Sequence, residues 1–178
     1  MLVLASRSPR RRAILDQLGV EFRVEVPEVE ELSEGEPREL VLENARRKAR
    51  AVEGEQVLGV DTTVVLEGRA LGKPRDAREA ERFLRELSGR EHEVMSGIAL
   101  RDASGERSDV AVTRVRFREL DERTIDWYIS RGEWGDCAGG YAIQGRGAAL
   151  VDEIAGDYWN VVGLPVPALL RLVPDLLG

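Results

Sequence analysis

The sequence predicts a chain that alternates strands and helices, α/β or α+β in class. Three observations lead there. Short segments with two-residue apolar alternation are followed by segments whose apolar residues recur at helical spacing. Cap residues and glycines stand at the joints between them. The 178 residues are 43% hydrophobic and 33% charged, a globular balance rather than that of a disordered tail. The length suits one domain, residues 1–178, at roughly 100–200 residues per domain. A chain this long buries about 70% of its unfolded surface and needs no disulfide or structural metal to fold. No internal repeat, low-complexity tract or long linker interrupts it.

Met1–Ala5 reads as a short apolar strand. Ser8 and Pro9 open a helix, because serine caps well and proline suits the first helical position. Ala13, Ile14, Leu15 and Leu18 form its apolar face and Gly19 ends it. Phe22, Val24 and Val26 alternate with charged residues as a half-buried strand does. A helix follows from Pro37 to about Val52, with Leu40, Val41, Ala45, Ala49 and Val52 facing inward. Val57–Leu66 is a buried strand or hairpin arm, closed by a turn at Glu67-Gly68. Asp76 caps a helix carrying Ala80, Phe83, Leu84 and Leu87, which stops at Gly89. Val94, Ser96, Ile98 and Leu100 alternate along one strand. Ala111, Thr113, Val115 and Phe117 alternate along the next, with Arg114, Arg116 and Arg118 outward. Asp121 caps a helix with Ile125, Tyr128 and Ile129, and Gly132 lies beyond its end. Two glycine-rich stretches follow, and Val166–Leu177 reads as a last helix, irregular near Pro174.

Charge and composition exclude several classes. With 26 basic and 33 acidic residues the net charge is −7, which argues against a nucleic-acid partner, since such affinity comes largely from neutralised phosphates. A small phosphorylated ligand needs only a local basic cluster. No apolar run approaches the ~20 residues of a membrane span. The arginines come after the first apolar stretch, the reverse of a secretory signal. Cys137 is the single cysteine, which forbids an internal disulfide and suits a reducing cytoplasm. His92 is the single histidine, so no multi-histidine metal site is possible, and it reads as a surface residue in a turn.

Four places carry chemistry. Ser6-Arg7-Ser8-Pro9-Arg10-Arg11-Arg12 crowds arginines around a helix start, where the helix dipole is already positive. An anion there turns the misfit into a phosphate cradle of N–H groups, hydroxyls and guanidinium forks. Alternatively the arginines are solvated or pair with the many acids. Asp61 sits inside the apolar run Val57–Leu66 beside Thr62 and Thr63. A carboxylate there is costly unless it is paired, metal-bound or functional, although a strand end meeting solvent also accounts for it. Lys73, in Gly72-Lys73-Pro74, and Lys48 are able to hold phosphates, yet lone lysines are commonly solvated, and Glu28–Glu31 is by default a solvated acidic face. In Gly139-Gly140-Tyr141-Ala142-Ile143-Gln144-Gly145 the small residues let backbone pass close to a ligand. The Gln144 amide offers a donor and an acceptor that match the edge of uracil or thymine, or else it satisfies backbone groups around a tight bend. Cys137 lacks an activating partner and does not read as a nucleophile.

In series, Leu4-Ala5-Ser6-Arg7-Ser8-Pro9-Arg10-Arg11, Gly59-Val60-Asp61-Thr62, Gly72-Lys73-Pro74-Arg75-Asp76, Leu87-Ser88-Gly89, Ala138–Gly145 and Val161-Val162-Gly163-Leu164-Pro165 resemble the Maf family of nucleoside triphosphate pyrophosphatases. The resemblance runs from Leu4 to about Pro165. It implies an α/β fold, a mixed twisted sheet flanked by helices in two lobes around a cleft, similar to inosine triphosphate pyrophosphatases. It implies hydrolysis of a nucleoside triphosphate to the monophosphate and diphosphate with a divalent cation, Mg²⁺ or Mn²⁺. Asp61 matches the catalytic carboxylate. Ser6, Ser8, Arg10, Arg11, Lys48, Thr62, Lys73 and Gln144 match substrate-binding positions, and Glu31 joins Asp61 as a metal ligand. Arg10, Thr62 and Gln144 are similar to the branch that acts on dTTP and UTP. Cys137 stands where many relatives have lysine, leaving Arg146 as a candidate replacement charge, and Ser96 stands where threonine is usual. The resemblance further implies a homodimer and a link to septum formation, while the single cysteine points to the cytoplasm and the short apolar runs to no membrane partner. Two rival readings are a nucleotide sensor without turnover and a broader house-cleaning pyrophosphatase. The expected mechanism binds the triphosphate at the first helix and has Asp61 position and deprotonate the attacking water.

Overall fold

The structure, a computed structural model, describes residues 1–178. The strand β1 (Leu2–Ala5) is buried at every residue. It runs parallel to β2 (Phe22–Glu25) on one side and to β3 (Gln56–Leu66) on the other. Beyond β3 the sheet turns antiparallel through β5 (Glu91–Asp102), β6 (Gly105–Phe117) and β7 (Val151–Ala155). The short β4 (Arg69–Leu71) folds back on the end of β3. The hairpin between them turns at Glu67 and Gly68, with φ of 51° and 78°, the positive pair that a tight hairpin turn requires. The expected mixed α/β architecture is therefore present as a seven-stranded sheet in the order β2-β1-β3-β5-β6-β7, with β4 attached to β3. No helix is long and apolar enough to cross a membrane.

Helix α1 (Pro9–Gln17) leaves β1 through the turn Ser6–Ser8, and the Ser8 hydroxyl accepts the N–H of Arg11 at 3.4 Å. Helix α2 (Pro37–Arg50) lies across β3 and β5. Two glycines set how closely. A Cβ at Gly59 would stand 2.0 Å from the Ala45 carbonyl oxygen, and one at Gly97 would stand 2.1 Å from that of Val41. Ala45 and Ala49 complete a small-residue contact in which helix backbone rests on sheet backbone. Helix α3 (Ala77–Leu87) is capped by Asp76 and buries the expected Ala80, Phe83, Leu84 and Leu87. Helix α4 (Glu122–Ile129) is capped by Asp121. Helices α5 (Tyr158–Val162) and α6 (Val166–Leu172) close the chain.

The sequence pattern misses some elements. Strand β7 and helix α5 carry no clean periodicity: Val151 and Ile154 of β7 are three residues apart, and α5 spans little more than one turn. Helix α6 stops at Leu172 rather than near Leu177, because Val173 precedes Pro174 and takes an extended φ of −131° and ψ of 79°. Val26 lies outside β2 and is exposed. Ala13, expected on the inner face of α1, is also exposed.

The close contact of α2 with the sheet gives a stability prediction. Gly97→Ala forces a methyl group against a backbone oxygen that cannot step aside, and is expected to cost about 2 kcal/mol or more in urea unfolding. Gly72→Ala, whose Cβ meets nothing within 4 Å, is expected to stay within about 0.5 kcal/mol of the parent.

Candidate active site

The carboxyl ends of β1 and the parallel half of β3 open onto one cleft. Open α/β sheets bind ligands at such an edge, because loops and helix N-termini gather there. β1 is last paired at Ala5, opposite Gly59, so the Ser6–Ser8 turn and the Asp61-Thr62 pair project side by side just past that point.

Arg11 ties these pieces together. Its guanidinium is buried and donates from Nε to the Gly163 carbonyl at 2.8 Å, from one terminal nitrogen to Ser6 Oγ at 3.0 Å and from the other to Thr62 Oγ1 at 3.1 Å. Burial pulls its pKa down to about 10, opposed by the negative charge of Asp61. It remains a cation at neutral pH, with three of its donors engaged and two left for a ligand. Ser6 Oγ also accepts the Ser8 N–H at 3.2 Å, which shapes the turn before α1. Thr62 Oγ1 lies 2.8 Å from Ser96 Oγ, so the two hydroxyls share a hydrogen bond.

Asp61 is held by α2. Lys48 Nζ donates to Asp61 Oδ1 at 2.7 Å, and Asn44 Nδ2 donates to Asp61 Oδ2 at 3.1 Å. Four residues apart on one helix, Asn44 and Lys48 share a face. The Lys48 side chain is only 8% exposed and that of Asp61 14%, so the pair is largely removed from water. Lys48 also lies 3.0 Å from Glu31 Oε1. Asn44 fixes the segment bearing Glu31, because it accepts the Leu32 N–H at 2.8 Å and donates to the Leu32 carbonyl at 3.0 Å.

Lys73 and Arg10 face this group from the other wall. Arg10 donates to the Asp136 carbonyl at 2.7 Å, and Lys73 Nζ is 3.7 Å from the Asp136 carboxylate. Ser8, Arg10, Arg11, Glu31, Lys48, Asp61, Thr62, Lys73 and Gln144 all line the cleft. An adjoining hollow of about 400 Å³ is walled by Ser6, Arg7, Ser8, Arg11, Glu31, Lys48 and Lys73. All ten expected site residues therefore meet in one place. A hollow of about 530 Å³ lies elsewhere, between the two chain ends, and gathers no comparable set of charged groups.

The donor set suits a lightly held divalent cation. No cluster of three histidine, cysteine or carboxylate side chains exists that could cage a metal. Two carboxylates, Glu31 and Asp61, share the Lys48 ammonium instead. Mg²⁺ typically uses one or two carboxylates and completes its shell with water and phosphate, so these residues fit that role.

Set beside known proteins, residues 1–176 match the family described as Maf-like protein. The chain belongs to the Maf family. This Maf-like chain is 53% identical to the dTTP/UTP pyrophosphatase of Anaeromyxobacter dehalogenans, over 96% of its own length and 92% of the relative's. It is 49% identical to that of Thermus thermophilus, over 97% and 92%, and 43% identical to that of Pyrococcus furiosus, over 97% and 93%. Among solved structures it has a partial and distant likeness to the Staphylococcus aureus Ham1 protein, at a TM-score of 0.46 and 15% identity, over 65% of this chain and 71% of that one.

Several residues of the Maf-like site were not read from the sequence. Asn44 sits inside a charged helix, and nothing in its spacing marks it as a partner of Asp61. Glu133 accepts the backbone N–H groups of Arg146 at 3.0 Å and Gly147 at 3.1 Å, fixing the turn directly after Gln144. Arg146 itself is exposed and absent from the cleft wall, so it is not placed to supply the replacement charge expected of it. Cys137 does line the cleft, but burial raises its pKa and keeps it a thiol.

His92 corrects the expectation of a surface residue: it is 2% exposed. β5 begins at Glu91, so the inward alternation of Val94 and Ser96 extends back to His92. Its Nε2 shares a 2.8 Å hydrogen bond with the Tyr141 hydroxyl, and its ring meets Phe117 edge-on. Tyr141 lines the cleft, so this cluster braces the glycine-rich wall. Burial lowers the His92 pKa to about 4. The unfolded chain then binds a proton below about pH 6.5 that the folded chain refuses until about pH 4, so stability falls as pH drops through that window. The predicted loss is about 3 kcal/mol in denaturant unfolding between pH 7 and pH 4. His92→Phe is expected to remove that share of the pH dependence.

Proposed function

We propose that this Maf-like protein is a nucleoside triphosphate pyrophosphatase that hydrolyses dTTP and UTP to the nucleoside monophosphate and diphosphate. The observation that carries the reading is one carboxylate, Asp61, held by Lys48 and Asn44 at the centre of a cleft walled by Arg10, Arg11 and Lys73. The names of the relatives, dTTP/UTP pyrophosphatases at 43–53% identity over nearly the whole chain, support the same activity. Four cations match a triphosphate, and Gln144 at one end of the cleft suits the N–H and C=O edge of uracil or thymine.

The side chains divide the work. The Ser6 and Ser8 hydroxyls at the start of α1 meet phosphate oxygens, with Arg11 fixed beneath them. Lys48, Lys73 and Arg10 leave their internal acceptors, Glu31 and Asp136, for the more highly charged phosphates. Glu31 and Asp61 would hold a Mg²⁺ or Mn²⁺ ion, which when bound neutralises charge on the phosphates. Asp61 orients a water molecule toward the α-phosphorus and accepts its proton. A bond forms from water oxygen to the α-phosphorus, and the bond to the bridging oxygen of the leaving diphosphate breaks. Lys73 and Lys48 stabilise the charge that gathers on that leaving group. A sensor without turnover has no need for a carboxylate so placed. We infer as well the homodimeric state that the family resemblance implies and the cytoplasmic location that a single cysteine suggests.

Asp61→Asn is expected to lower diphosphate release from UTP and dTTP by about 100-fold or more with the fold intact. Full activity in that variant would remove Asp61 from the chemistry. Gln144→Ala is expected to narrow the preference for UTP and dTTP over CTP more than it lowers kcat, measured across a substrate panel.

A further inference from the structure

An apolar recess adjoins the cationic cleft and has no part in the mechanism above. It measures about 470 Å³, and its walls include Pro9, Ala13, Tyr158 and Trp159. Arg10, Gln144 and Val162 line both the recess and the cleft, so the two are continuous. The hollow at the Ser6–Ser8 turn joins the same cleft through a different set, including Ser8, Arg11, Lys48 and Lys73, and shares no lining residue with the recess. The three spaces therefore form a row, with Asp61 in the middle, a cationic hollow at one end and an apolar one at the other.

The apolar end is firmly mounted. Tyr158 opens α5 and is 39% exposed, while its ring meets Trp159 edge-on at 5.3 Å. The Trp159 N–H is capped by Asp157 at 2.9 Å. The next residue, Asn160, is fully buried and donates to the Val94 carbonyl and to Thr113 Oγ1, both at 3.0 Å. A ring held in place this way and left open to solvent offers a flat face without having to be ordered on binding. Ala13, on the opposite wall, is small enough to leave room for a second ring.

We propose that the recess seats the pyrimidine ring of the substrate and that Tyr158 is its stacking residue. This rests on the dTTP/UTP pyrophosphatase reading and deepens it by fixing which way the nucleotide lies. The base sits between Tyr158 and the Pro9–Ala13 side of α1, with its polar edge toward Gln144. The α-phosphate then falls at Asp61, and the β- and γ-phosphates extend into the hollow at Ser6, Arg7 and Ser8. Stacking supplies affinity for any flat ring, and Gln144 supplies the choice among rings.

The test is calorimetric binding of two probes with Mg²⁺ present: the α,β-imido analogue of UTP, which resists cleavage, and inorganic tripolyphosphate, which has no base. Tyr158→Ala is expected to weaken the UTP analogue about tenfold or more and to leave tripolyphosphate unchanged. Tyr158→Phe, which keeps the ring, is expected to bind both as the parent does. Equal affinity of the analogue for the parent and Tyr158→Ala overturns the proposal. So does a parallel loss of tripolyphosphate, or failure of the parent to bind the analogue at all. If the expected ratios appear but the parent turns over neither UTP nor dTTP, the base seat stands and the pyrophosphatase reading fails.

Discussion

The site depends on how closely α2 lies against the sheet. At Gly59 and Gly97 no side chain fits between helix and strand, since a methyl group at either would stand within about 2.1 Å of a helix carbonyl. That approach sets the reach of Lys48 and Asn44, both of which end on the Asp61 carboxylate. A carboxylate and an ammonium so far removed from water each carry a desolvation penalty of several kcal/mol, offset only by good mutual geometry. Asn44 completes that geometry and anchors the Glu31 segment as well. The glycines, the helix and the charged pair thus form one unit.

The cleft around this unit has a rigid side and an adaptable side. Arg11 is buried and bonded to three different segments, so its charge is in place before any ligand arrives. Lys73 is 64% exposed and meets only an exposed aspartate. Arg10 is satisfied by a backbone carbonyl. These partners are weaker than phosphate oxygens for a guanidinium or an ammonium, so both cations are able to exchange them for a triphosphate. A preorganised floor with exchangeable cations serves a reaction in which charge moves onto a leaving diphosphate.

Much of this was legible in the sequence, and the exceptions have physical reasons. Caps such as Ser8, Asp76 and Asp121 are local signals, and each marks a helix start as expected. Asp61 stood out because a carboxylate in an apolar run demands a partner, although periodicity could not name that partner. Lys48 and Asn44 reach it only through the tertiary approach at two glycines, whose role is invisible until helix and sheet are placed together. His92 was misread because its strand begins earlier than the strongly apolar stretch suggests. Glu133 acts on backbone N–H groups thirteen and fourteen residues away, a contact without any local pattern. Helix α5 was missed because five residues are too few to show a period.

The central claim is that Asp61 directs water at the α-phosphorus while the β- and γ-phosphates leave together. Hydrolysis of UTP in ¹⁸O-labelled water, with mass analysis of both products, tests it most directly. The account predicts one labelled oxygen in UMP and none in diphosphate. Label in diphosphate would place the attack on the β-phosphorus and contradict the assigned geometry, and absence of any turnover would contradict the activity itself.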